Sequence, residues 1–304
     1  MRNLVLIFIL LWVAAFVGCD TKPKHEDTLG SGSVEVSADE TYRDVIEQEK
    51  RVFDSSFPNA HVTIHYKPEA ECLKDYFAGK SRLILITRDL TAEEKQLAEQ
   101  QKFYASSLAL AKDAVAIVLN RANVDTQFSV SQIKSILTGK YEKNKYTIVF
   151  DNEASSLLRH INDSLLQGEK LQNNVYATKT HDSMMAYITT HPDAIGFASL
   201  SEVCDSNDNT NTGYFINTVH IGELYNDSLH EYVKPYLAYL ALKHYPLVRK
   251  LYYINRESHA GIATGFANFL ASPRGQLIFA HAHLYTLRME ISLRDAKINT
   301  DKTN

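Results

Sequence analysis

The sequence predicts an α/β protein, and three observations predict it. Segments of strand character alternate with segments of helical spacing from residue 34 onward. Two apolar runs, Leu83-Ile84-Leu85-Ile86 and Ala114 to Leu119, are unbroken, as strands covered on both faces are. The joints between strands and helices carry Asp, Thr, Ser and Pro, the residues that cap helices or turn the chain.

Taken in order, Val34-Glu35-Val36-Ser37 reads as a strand and Ala38-Asp39-Glu40-Thr41 as the turn into a helix. That helix carries Tyr42, Val45, Ile46, Glu49 and Phe53 on one face and breaks at Phe57-Pro58-Asn59. His61 to Tyr66 alternates as a strand. Lys67-Pro68-Glu69 then opens a helix with Ala70, Leu73 and Phe77 on one face and Gly79 at its end. After Leu83–Ile86, Thr91 and Glu94 stand at capping-box spacing. Ala114 to Leu119 leads into Asn120-Arg121-Ala122-Asn123, which reads as a crossing between domains. A short helix follows over Ser129 to Lys140. Further on come a strand around Val175, a helix near Ser183 to Thr190, the strand Ala194 to Ala198 and a polar surface loop over 205–213. Tyr236 to Leu242 and Leu251 to Ile254 read as returning strands, and two helices from Gly261 to His281 close the chain.

The stretch Ile148 to Ile161 bears most directly on function. An apolar run stops at Asp151-Asn152-Glu153-Ala154, Ser155 and Ser156 follow, and Leu157, Leu158, Ile161, Leu165 and Leu166 recur at helical spacing as far as Gly168. The first turn of such a helix has unpaired N–H groups and the positive end of a dipole, so it can hold an anion. The same serines also fit the role of simple helix caps.

At the N-terminus, Arg2 precedes an apolar run from Leu4 to Val17 that ends in Val17-Gly18-Cys19. The run is short for a membrane span and has the layout of a secretion signal. Its end resembles a bacterial lipobox, which implies lipidation of Cys19, membrane attachment through that lipid and a place in the cell envelope. Residues 20–33 read as a tether.

Composition excludes several classes. With 45% apolar residues, 22% charged and a net charge of −4 without a basic run, the chain lacks a nucleic-acid surface. Cys72 and Cys204 are too few and too far apart for a metal motif. The 12 histidines form no H-E-x-x-H, and no Gly-x-Ser-x-Gly elbow marks a serine hydrolase. No catalytic residue, metal site or cofactor is expected.

Several segments together resemble the substrate-binding proteins of ABC phosphate importers, of the type II periplasmic-binding-protein fold. Leu83 to Thr91 resembles a strand ending in the family's Ser/Thr-Asp or Ser-Arg turn, and Ser131 to Lys140 its L-x-x-I-(Y/F)-x-G-K helix. Asp151 to Ser156 stands at its Ser-Gly-Thr anion loop, Asp193 to Phe197 at its P-x-A-I-G-Y turn, and Phe266 to Gln276 at its closing F-x-x-F-L-x-S-x-x-G-Q. The resemblance implies two lobes with a ligand cleft between them: 34–118 with 236–293 as lobe I, and 119–235 as lobe II. A signal peptide and lipobox (1–19), the tether and a polar tail (294–304) flank them. It implies phosphate or a similar oxyanion as ligand and an inner-membrane ABC permease as partner. The implied contacts are Asp39, Glu40, Thr41, Thr87, Arg88, Ala154, Ser155 and Ser156. Three departures stand out. Ala154-Ser155-Ser156 replaces Ser-Gly-Thr, Phe150 replaces an arginine, and Arg88 replaces an aspartate that accepts the phosphate's proton. Glu40 and Glu69 also lie near the implied site, where each either pairs with Arg88 or repels a dianion. The alternative is a sensor or scaffold lipoprotein on the same fold with weak or no phosphate binding.

Overall fold

In the computed structural model, which describes residues 27–142, 145–173, 175–204 and 214–289, Ser31–Asp39 (β1) buries Val34, Val36 and Ala38 and exposes Ser33 and Glu35. Asn59–Lys67 (β2) runs parallel to it on one side and Leu83–Ile86 (β3) on the other. Parallel strands need crossovers, and the helices Arg43–Ser56 (α1) and Glu69–Phe77 (α2) supply them. All four β3 residues are buried, as the unbroken run requires. Ala92–Gln100 (α3) begins with the capping box of Thr91 and Glu94.

Ser106–Leu119 (β4) belongs to both halves of the molecule. Ser106 to Ala114 pairs antiparallel with Val248–Asn255 (β12), and Val115 to Leu119 pairs with Ala194–Ser199 (β8). Thr147–Phe150 (β6) and Val175–Ala177 (β7) extend the second half in parallel, giving the order β2-β1-β3-β12-β4-β8-β6-β7. Val130–Leu137 (α4), Ser156–Ile161 (α5), His181–Thr190 (α6) and Leu200–Val203 (α7) accompany that half, and Ile262–Ala271 (α9) and Pro273–His281 (α10) the first. Two short strands, His220–Ile221 (β9) and Tyr285–Thr286 (β13), also join β4. Gln127–Phe128 (β5), Glu223–Asn226 (β10) and Glu231–Val233 (β11) form a small separate sheet that the sequence reading did not anticipate.

The two-lobed α/β expectation holds: one hydrophobic core gathers around β1 and α9, another around β6 and β8. The lobe limits read differently from packing. Leu110 and Ala111 face the first core and Ala114 to Leu119 the second, while Leu240, Tyr245 and Leu247 join the second and Leu251 the first. Packing therefore favours exchange points near residues 113 and 248 over the expected 118/119 and 235/236. The two crossings lie side by side, with the Val115 N–H donating to Leu247 O at 2.9 Å. Tyr236 to Leu242 is a correction. Leu237–Ala241 (α8) is a helix, because Leu237, Leu240 and Ala241 recur at helical spacing and a run this short carries either reading. Residues 1–26, the 205–213 loop and the 294–304 tail lie outside the described residues. No helix among the described residues is long and apolar enough to cross a membrane.

Cys72 and Cys204 are both free and buried, and burial pushes their thiols up. Just before β1, Asp27 ties the chain to the first lobe by an ion pair with Arg82, Oδ2 to Nη2 at 2.5 Å, and by lying 2.8 Å from His259 Nε2. Glu257 completes this group, and the Arg82 guanidinium, 2.8 Å from Glu257 as well, offsets part of its negative charge.

Glu49 sits on the apolar face of α1 with no exposure, and neither carboxylate oxygen has a partner. Burial alone pushes its carboxyl up to about 9, so it folds in protonated. A folded pKa above the unfolded one contributes stability at low pH that is lost as pH rises through the folded value. Stability should fall by about 1.4 kcal/mol per pH unit between roughly pH 5 and pH 9 on account of this group. Glu49→Met should flatten that slope and raise stability at pH 8, which urea unfolding across the range checks.

Candidate functional site

The segment after β1 and the joint between β8 and α7 meet the two crossings, and the group that joins them is Asp113. It lies on β4 directly across from Arg249 of β12, and both side chains are fully buried. Arg249 Nε donates to Asp113 Oδ2 at 2.9 Å, and the Tyr42 hydroxyl donates to the same oxygen at 2.8 Å. The other oxygen accepts from Ser199 Oγ at 2.9 Å and from the Leu200 N–H at 3.1 Å. Arg249 then reaches the second lobe, its Nη1 donating to Ser156 Oγ at 2.8 Å. Its Nη2 has no partner among the described residues.

Next to this guanidinium lies Asp39, at the end of β1 and 1% exposed. Its Oδ1 accepts from the Thr41 N–H at 3.0 Å, and its Oδ2 is unpartnered. Burial raises its pKa; Arg249 and Ser156 oppose the rise and Glu69 adds to it. His160, partly buried near Arg249 and Arg159, is pushed down to about 4 by desolvation and then by those charges, so it is neutral at physiological pH. Ser155 caps α5 in the ordinary way, its Oγ accepting from the Leu157 N–H at 3.1 Å. Ala154 is exposed and its N–H donates to Asn152 Oδ1 at 2.8 Å, which takes it out of a cradle. Asn152 also donates to Glu40 Oε1 at 2.6 Å, a bond between the lobes.

A second group lies around Glu69, 2% exposed at the start of α2. Its Oε2 accepts from the Thr87 N–H at 2.7 Å and from the Thr87 hydroxyl at 2.6 Å. Its Oε1 accepts from Arg159 Nε at 2.5 Å across the lobe interface, and Arg159 Nη2 donates to Thr87 Oγ1 at 2.8 Å. Arg88, expected in the cradle, is turned aside. Its terminal nitrogens pair with Glu94 at 2.6 and 2.7 Å, and only Nε comes within 3.7 Å of Glu69. The structure therefore brings Asp39, Thr41 and Ser156 together with Arg249, and Thr87 with Glu69 and Arg159, while Arg88 and Ala154 stand outside. Beside them a cavity of about 510 Å³ has an acidic wall of Glu40, Asp44, Asp151, Asp182 and Glu202, relieved by Arg43; burial lowers the His181 pKa, which favours its neutral form.

Arg249 and Arg159 were missed by the sequence reading. Arg159 stands three residues after Ser156, one turn along the same helix face, and that spacing could have found it. Arg249 is a charge within a strand that is otherwise inward and apolar; only pairing with Asp113 explains it, and pairing is invisible in one sequence.

The model of the PBP superfamily domain matches residues 23–274. No curated protein matches the chain. Among solved structures, it is similar to one described as a phosphate ABC transporter substrate-binding protein with bound phosphate from Clostridium perfringens, at 21% identity and a TM-score of 0.70 over 84% of this chain and 100% of that one. It is also similar to an ABC-type phosphate transport receptor from Vibrio cholerae (16% identity, TM-score 0.67, 84% and 100% covered). A third is PstS from Borrelia burgdorferi (18%, 0.55, 84% and 99%).

Because Asp113 holds Arg249 in a dry interior, Asp113→Asn should destabilise the fold by about 3–5 kcal/mol, the range for an uncompensated buried charge. The double variant with Arg249→Met should recover part of that loss in thermal or urea unfolding.

Proposed function

The chain belongs to the PBP superfamily, and on that premise we propose that it is an extracytoplasmic solute-binding protein. It captures phosphate or a related oxyanion between its lobes and delivers it to an ABC permease. The observation that carries this reading is the unpartnered, buried Nη2 of Arg249 beside Ser156 and the unpartnered Oδ2 of Asp39. A dry guanidinium N–H attracts an anion strongly, and a carboxyl beside it can share a proton with that anion. Arg249 thus supplies the charge that the family's arginine, replaced by Phe150, would bring, and Asp39 supplies the proton-sharing group that Arg88 replaces. The solved phosphate receptors of similar fold support the same ligand class.

Asp39 also bears on selectivity. Phosphate carries a proton at neutral pH and can donate to ionised Asp39 or accept from its protonated form, whereas sulfate can only accept. Sulfate binding should therefore decline as pH rises through the raised Asp39 pKa, while phosphate binding persists. A sensor or scaffold with weak or no oxyanion binding is the second reading, favoured by Glu69 already holding Thr87 and Arg159.

Anchoring belongs to the same proposal. Cys19 lies outside the described residues, and the lipobox-like Val17-Gly18-Cys19 supports its lipidation at the surface of the cell envelope. Mass spectrometry should find a diacyl or triacyl Cys19 as the mature N-terminus; an intact Met1 in membrane-bound protein would refute it.

Thermal unfolding with phosphate, sulfate and molybdate tests the ligand. Phosphate at about 100 times its dissociation constant should add about 2.7 kcal/mol. Ser156→Ala should weaken binding by about 0.5–1.5 kcal/mol, the range for one neutral hydrogen bond. No shift with any oxyanion at millimolar concentration would overturn the capture reading.

A further inference from the structure

The acceptor site at the top of β3 is already filled by the protein itself. Glu69 presents two oxygens to donors that come from both lobes: the Thr87 N–H and hydroxyl on one side, and Arg159 Nε on the other. The arrangement is closed on itself, since Arg159 Nη2 also donates to Thr87 Oγ1, and the carboxylate is 2% exposed. A carboxylate held by a backbone N–H, a hydroxyl and a guanidinium satisfies the same donors that a tetrahedral oxyanion would use in a cleft of this kind. It is also a poor neighbour for one. Asp39 lies close enough that the Glu69 charge raises its pKa, so a dianion arriving there meets two carboxyl groups. Arg88 and Arg159 do not offset this fully. Arg88 is paired with Glu94 at 2.6 Å, and Arg159 Nη1 is paired with Asp163 at 2.8 Å.

We propose that Glu69 is the specificity-determining residue of the cleft, an internal carboxylate that stands in for the oxyanion and must be displaced from Thr87 and Arg159 before an oxyanion binds. This rests on the oxyanion-capture reading. The contact also joins the lobes, because Glu69 and Thr87 belong to the first and Arg159 to the second. Glu69 thereby helps hold the lobes together, and affinity is set by the difference between the incoming anion and the protein's own side chain. Such a site favours ligands that outcompete a monovalent carboxylate, and it rejects free carboxylates, which offer nothing that Glu69 does not.

Calorimetric titration of phosphate, sulfate and acetate into wild type, Glu69→Gln and Glu69→Ala, with thermal melts of each, tests the proposal. Glu69→Gln keeps the shape and removes the charge, so it serves if the alanine variant fails to fold. Phosphate should bind the variants about tenfold or more tightly than wild type, the equivalent of one charge-assisted hydrogen bond no longer contested. Acetate should bind Glu69→Ala and not wild type. Wild type that binds phosphate while folded variants bind it equally or more weakly would overturn the role of Glu69 and leave oxyanion capture standing. Folded wild type and variants that all ignore every oxyanion would overturn both.

Discussion

The ion pair between Asp113 and Arg249 is the constraint on which the rest of the molecule depends. Both residues lie where the chain passes between lobes, and neither has water to fall back on. A buried pair contributes little net stability compared with an apolar replacement, because removing both charges from water offsets their attraction. Its consequence is positional. One carboxylate receives donors from the segment after β1, from β12 and from the β8–α7 joint, and the guanidinium extends the chain of bonds to Ser156. The segments that must meet to form a cleft are thus fixed relative to the strands about which the lobes join.

The cleft that results is not a basin of positive charge. Its acidic wall and the overall −4 would repel a dianion at a distance, and salt would screen much of that effect. Attraction has to come at short range, from one desolvated guanidinium and from hydroxyl and backbone donors in a medium of low polarity, where each counts for more than in water. Burial raises Glu202 and Glu40 as well, with Asp151 adding to both, so part of the acidic wall is biased toward its neutral form.

Much of the fold was legible in the sequence because it follows from short-range chemistry. The apolar runs of β3 and β4, the face of α1 and the capping box at Thr91 each depend on residues within a few positions of one another. Even Glu49 was read onto its correct face, though nothing local explains a carboxyl there. The candidate site was legible only in part. Asp39, Thr41, Thr87 and Ser156 could be read as candidates because they end strands or begin helices. Arg249 was not, since its reason lies 136 positions away in Asp113. The aiming of Arg88 depended on Glu94, which its own helix also needed as a cap. The short β5, β10 and β11 strands left no pattern long enough to read, and α8 left one that suited either period.

Asp27 has a bearing on how the whole body stands. It fastens the chain to the first lobe at the start of β1, whereas the cleft opens at the other end of that nine-residue strand, about 30 Å away. The eight residues from Cys19 to Asp27 can reach no further than about 29 Å. A lipid on Cys19 would therefore moor the molecule by the end of β1 that lies away from the cleft. The leash is barely as long as one of the protein's own strands, so a body moored this way would swing within about one strand length of its anchor.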